Sequence, residues 1–338
     1  MKALKSIFGM LVLVALWGCT KTEIATPEKE VTFAVGEYAA TATKSNVSLD
    51  TYGITSFKSK AYLHADGYEN ETQNFFGVNG ETISKQGNVW APSHPYYWPK
   101  SELSYVNFVS WYDKNGAPTN VSEYALAWTN RTIVADDDIM YADEAWRYNS
   151  GDVVTLFHHA LAQVKFQART TQASDGNVSW TVTIRNFRIE NVRNTGSLSL
   201  INSDPNTSWT TKPWTNTIWT QAQDTETLSS NGEFTLSSTN QVIMDTRTVL
   251  PQTTFGMVLS FDYSINTTYN IEGNPISSVS ENAHATINLY SDFRIYNWNM
   301  NTCTTYTIVF NPETNKISFD PALTENWNTD PNNSMYIE

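Results

Sequence analysis

Apolar residues in this chain recur at a spacing of two, and helix formers never gather into a long amphipathic stretch. Val31-Thr32-Phe33-Ala34-Val35 alternates, and so does the run from Ile54 to Tyr62. Val164, Phe166 and Ala168 share one face, and Trp180, Val182 and Ile184 repeat the pattern, as do Phe187 and Ile189. Tyr306 to Phe310 and Ile317 to Phe319 flank the turn residues Asn311 to Lys316, which predicts a closing hairpin. Clusters of Asn, Gly, Asp and Pro separate these runs, Thr, Ser, Asn, Tyr, Trp and Val abound, and only 16% of residues are charged. A period of two with such punctuation predicts an all-β chain of sandwiches or barrels.

The first residues follow a different logic. Lys2 and Lys5 precede an apolar run from Ile7 to Trp17, and Leu16-Trp17-Gly18-Cys19 closes it. Charge, apolar run, small residue and cysteine in that order form a bacterial lipoprotein signal, cut before a cysteine that then carries lipid. The run is too short to remain as a spanning helix. Residues 1–18 are therefore expected to be removed, Cys19 to be lipidated, and the rest to work outside the cytoplasm. With Cys19 so used, Cys303 has no partner for a disulfide. The net charge of −13 excludes a nucleic-acid partner, because phosphate binding needs clustered Lys and Arg.

Residues 19–30 read as a polar linker. The acidic and polar stretch from Asp143 to Asp152 separates two series of strands, giving an N-terminal β-sandwich over 31–152 and a C-terminal one over 153–338. Trp90, Tyr96-Tyr97-Trp98-Pro99 and Tyr105 to Trp111 form the most aromatic segment and predict the first core.

Chemistry is sparse. HExxH, GxSxG, a Walker loop, GxGxxG and CxxC are all missing, so the sequence names no catalytic residue, cofactor or metal ligand set. His158 and His159 are adjacent in a strand and point to opposite faces. Asp136-Asp137-Asp138 is an acidic turn without the spaced ligands and glycine of a calcium loop. Trp209, Trp214 and Trp219 sit in a long polar stretch, where exposed indoles would stack on sugars. A surface carbohydrate-binding lipoprotein that stays membrane-anchored is the alternative reading that these three residues motivate.

Several segments together resemble the fimbrillin-like (Mfa-like) surface lipoproteins of Bacteroidetes, which form or join type V pili. They are the signal ending in Cys19, the strand around Phe33 and GITSFKSKAYL from Gly53 to Leu63. The aromatic group Trp90 and Tyr96 to Pro99, followed by Leu103 and Phe108, belongs with them, as does Asp138-Ile139-Met140-Tyr141-Ala142. LFHHALAQVKF from Leu156 to Phe166 is the most specific, and Thr305 to Trp327 fits the closing strands. The resemblance implies two tandem transthyretin-like β-sandwiches and a non-enzymatic role in pilus assembly or adhesion. It implies export to the outer membrane as a lipid-anchored precursor and cleavage by a surface protease after the first strand. A strand donated by another pilus subunit then fills the vacated groove, and a host or bacterial surface ligand is implied for the assembled fibre. On that pattern Thr32, Phe33 and Val35 belong to the displaced strand, and Lys44-Ser45 is the maturation site. Ile317 to Trp327 is the donor or closing segment. Many members have Arg where this chain has Lys44.

Overall fold

The computed structural model describes residues 29–37, 53–65, 72–144, 147–171, 177–202, 214, 218–221, 224–272 and 274–327. Within them the chain is all-β. The first part runs through β1 (Thr32–Glu37), β2 (Ser56–His64), β3 (Thr72–Asn74), β4 (Glu81–Gln86), β5 (Val89–Pro92) and β6 (Tyr105–Asp113). Then come β7 (Asn120–Ser122), β8 (Ala125–Thr132), β9 (Ile139–Glu144) and β10 (Asp152–His159). Eight of these form one sheet in the order β3-β2-β4-β5-β1-β10-β9-β6. Because β2 also pairs with β6 from Lys58 to His64, the sheet closes on itself. Its inner faces enclose a core of Phe33, Phe57, Ile83, Trp90, Phe108 and Phe157.

The chain continues through β11 (Ala162–Thr170), β12 (Val178–Arg193), β13 (Thr195–Ile201), β14 (Trp219–Gln221), β15 (Thr225–Ser230) and β16 (Phe234–Leu236). Next are β17 (Gln241–Val249), β18 (Gln252–Thr253), β19 (Val258–Ile271), β20 (Asn274–Asn288) and the one-turn helix α1 (Leu289–Asp292). The last are β21 (Asn297–Trp298), β22 (Thr302–Asn311), β23 (Lys316–Phe319) and β24 (Leu323–Asn326). Two sheets, β17-β11-β22-β23 and β15-β12-β19-β20, share a second core that includes Phe166, Phe187, Phe261 and Tyr306. Phe166 and Tyr306 stack at 4.7 Å, and the Tyr306 hydroxyl accepts a hydrogen bond from Trp298 Nε1 at 2.8 Å. That bond satisfies a phenol whose burial pushes its pKa up.

Two features depart from the sequence reading. The strand expected to open the second series, β10, pairs with β1 and β9 in the first sheet. The first sheet's chain therefore runs to His159, past the limit expected at 152/153. A further sheet, β14-β13-β8-β7, takes strands from both sides of that point. Its core includes Leu126, Trp128, Leu161, Leu198 and Trp219, which come from both series of strands. No helix among the described residues is long and apolar enough to cross a membrane.

Candidate functional site: strand β1 and the groove that holds it

Alternation decides how β1 sits. Val31 and Phe33 point into the first core, Val35 packs against it half-buried, and Ala34 faces out. Phe33 is 4% exposed. Its ring meets Phe57 at 5.7 Å and Phe108 at 5.6 Å, both nearly edge-on, and Phe76 at 6.5 Å. Such edge-to-face contacts fit the ring quadrupole and add to the area buried. Burying Val31 and Phe33 contributes roughly 3–6 kcal/mol. That is comparable to the whole net stability of an ordinary domain, about 5–15 kcal/mol. Losing β1 would therefore cost the first core a contribution of that order.

The two sides of β1 are unequal. Along β10 it is paired in parallel over its full length, from Thr32↔Asp152 to Glu37↔Phe157. Thr32 Oγ1 also donates to the Asp152 carboxylate. On the other side, pairing with β5 is limited to Phe33↔Trp90. It resumes before β1, where Val31 N donates to Tyr96 O at 2.8 Å and Trp98 N to Lys29 O at 3.1 Å. Beyond Phe33 a shallow cavity of about 410 Å³ opens between β1 and the β4–β5 turn, lined by Val35, Gly36, Lys85, Asn88, Trp90 and Leu156. β1 is thus a central strand held fully on one side only.

Glu81 on β4 fixes the lip of the groove. Its Oε1 accepts from the Tyr96 hydroxyl at 2.8 Å and lies 3.0 Å from His94 Nδ1, and its other oxygen accepts from Ser93 Oγ. Burial alone would raise the Glu81 pKa, but the hydrogen bonds from Ser93, Tyr96 and His94 outweigh it and leave the carboxyl below its usual value. Burial and the same carboxylate push the Tyr96 phenol up to about 12. The carboxylate therefore holds the 93–96 segment whose backbone receives Val31.

The other expected site residues are placed as follows. Cys19, Lys44, Ser45 and Trp209 lie outside the described residues. Trp214 and Trp219 are buried, 8% and 3% exposed, and donate their indole N–H groups to the carbonyls of Ala142 and Ala160 at 2.8 and 2.6 Å. They show no ring face to solvent, so the expectation of sugar stacking does not hold for them. Both bridge to the first strand series, which is why a polar stretch carries indoles. His158 pairs with Asp143 at 2.8 Å, and buried His159 with Asp138 at 2.7 Å. Asp137 pairs with Arg131 at 3.0 Å, so the acidic turn is tied into its own protein. Among the described residues no cluster of His, Cys, Asp and Glu has the makings of a metal site. Ile317 and Phe319 lie on β23 and pair with β22, and β24 pairs with the same side of β22. The closing segment thus lies on its own sheet, ending at Trp327, which is buried.

The model of the fimbrillin-like family matches residues 42–327. The chain belongs to the fimbrillin-like family. Among solved structures, a fimbrial protein from Bacteroides vulgatus aligns at a TM-score of 0.52 with 12% identity, over 89% of this chain and all of that one. A candidate cell adhesion protein from Bacteroides uniformis aligns at 0.45 with 15% identity, over 89% of this chain and 97% of the other. At these identities the likeness to the Bacteroides vulgatus protein is one of fold. No curated protein matches the chain significantly. The fimbrillin-like family is a structural and adhesion family, not an enzyme family.

Proposed function

We propose that this fimbrillin-like protein is a cell-surface fimbrium subunit, or a fimbrium-associated protein, that serves adhesion and assembles by protease-triggered strand exchange. Export as a lipoprotein through Cys19 brings it to the outer membrane. Cleavage between Lys44 and Ser45 severs β1 from the rest of the chain. The partner is another pilus subunit, whose donated strand takes the place of β1.

The observation that carries this reading is the setting of β1. It is a central strand whose apolar side chains fill the first core, yet it is continuous in pairing with β10 alone. Its removal bares an apolar trench and a row of ladder groups on β10, and an incoming strand restores both. Glu81 keeps the opposite lip in shape meanwhile. The alternative, an anchored carbohydrate-binding lipoprotein, loses two of its three tryptophans to burial.

The test is Lys44→Ala in cells that display the protein. Wild-type surface material is expected to begin at Ser45 and to run as a ladder on mildly denaturing gels, and the variant to remain monomeric with its lipid. Ladders of equal abundance from the variant would refute maturation at this site.

A further inference from the structure

Strand β20 ends its sheet. Among the described residues it pairs with β19 alone, so its other side presents a row of unpaired N–H and C=O groups. The register with β19 is unbroken from Ser277 to Asn288, and no bulge bends that side away. Sheet edges are ordinarily guarded by proline, lysine, a bulge or a covering element. Here Pro275 is the one such residue; it lies before this run, which holds no lysine. Ser277 to Asn282, His284 and Thr286 are exposed, and Val279 is 50% exposed.

A row of ladder groups is satisfied by another strand, and the side chains of β20 select which one. In a two-fold antiparallel pair, opposite residues share a face of the sheet, so the axis passes beside one residue that faces its own copy. Ala283 at the axis gives a self-complementary match. Ala285 and Ile287 point into the second core, which puts Glu281 and Val279 on the same face. There Val279 lies opposite Ile287 of the second copy, and Glu281 opposite Ala285. On the outer face Ser280 lies opposite Thr286, and Asn282 opposite His284. Apolar meets apolar, hydroxyl meets hydroxyl and amide meets imidazole, each pair occurring twice.

The two ionisable side chains fit this register. The Glu281 carboxylate already accepts from Asn315 Nδ2 at 2.6 Å within its own chain. His284 Nδ1 lies 2.7 Å from Asp262 Oδ1, which leaves Nε2 for Asn282 of the second copy. Neighbouring registers match less well. An axis at Glu281 sets two carboxylates face to face, and one at Asn282 sets Ser277 against Ile287.

We propose that β20 is a homodimerisation edge, through which two copies pair antiparallel from Val279 to Ile287 and join their sheets into one. A two-fold contact of this kind closes on itself and stops at two copies. It is separate from β1 and needs no cleavage, so it stands whether or not strand exchange occurs.

Sedimentation of the purified, uncut chain tests this, and a dimer whose fraction rises with concentration is expected. Ser280→Lys should weaken that dimer by about tenfold or more, whereas Ser280→Thr keeps it. Mixing the Ser280→Lys chain with a Thr286→Glu chain should restore a mixed dimer, because the new lysine and glutamate are directly opposite in this register and in no other. Val134→Lys, at a half-exposed residue of the first strand series, leaves dimerisation unchanged. Melting temperatures of the Ser280 and Thr286 variants match wild type, since both side chains are exposed. A monomer at every concentration up to about 0.1 mM overturns the proposal. So does an assembly larger than two, an undiminished dimer in Ser280→Lys, or a mixture that recovers nothing.

Discussion

Trp327 lies face to face with His159, their rings 4.4 Å apart and 16° from parallel. One is the last described residue, and the other ends β10, the strand that holds β1 along its whole length. Trp327 N also donates to Asn301 O at 3.0 Å, and the four residues of β24 before it are exposed. The indole is therefore the buried side-chain anchor at the end of β24.

Trp327→Ala is expected to loosen β24 from β22. Cys303 pairs with Glu325 across that contact. Its thiol is pushed up to about 11, chiefly by burial and further by the Glu325 charge, so little reactive thiolate forms near neutral pH. Alkylation of Cys303 at about pH 8 should be slow in wild type and at least several-fold faster in the variant. An unchanged rate would show that Trp327 does not hold the segment.

Phe33→Ala removes the ring that Phe57, Phe76 and Phe108 enclose. A loss of about 3–5 kcal/mol is expected in urea unfolding, the range for truncating a buried aromatic side chain. Thr32→Val, at a side chain directed away from the core, should cost far less. Equal losses from the two would mean that β1 is not seated by its apolar face.

The Glu81 clamp gives a pH dependence with a definite sign. Its carboxyl lies below the ordinary value of 4.5 in the folded chain. The ionised form therefore stabilises the fold fully above that value, and the contribution is lost as pH falls through the lower folded value. Glu81→Gln should lower the urea midpoint relative to wild type at about pH 7 and much less at about pH 3. A difference that persists at low pH would assign the effect to packing.

Trp219→Phe keeps the buried ring in place and removes its hydrogen bond to Ala160 O. The carbonyl left without that donor should cost about 1–3 kcal/mol. Thermal unfolding of the variant measures it, and a neutral result would argue that another donor takes over.

What the sequence disclosed, and what it hid, follow from the same physics. The inward set of β1 was legible because one face is buried and the other is not, so Val31 and Phe33 alternate with Thr32 and Ala34. The closing hairpin was legible for the same reason, with Phe310↔Ile317 in register. Alternation says nothing of a strand's partner, so neither the pairing of β10 with β1 nor the closure of β2 on β6 can be read from it. β12 read as two runs because its register with β19 slips between Arg185 and Arg188, where Asn186 adopts a φ of 54°. That bulge moves the inward set from Val182 and Ile184 to Phe187 and Ile189. Trp214 and Trp219 misled because an indole in a polar stretch looks the same whether it faces solvent or a distant core. The Glu81 cluster and the contact of Trp327 with His159 join residues whose types carry no shared local pattern.

Displacement of β1 is tested most directly by what remains with the assembled fibre. Polymer isolated from cells and the uncut monomer are digested and compared by mass spectrometry for the segment ending at Lys44. Strand exchange predicts that peptides containing Val31 to Val35 are present in the monomer and absent from the polymer. Their recovery from the polymer in equal proportion to the rest of the chain would contradict it.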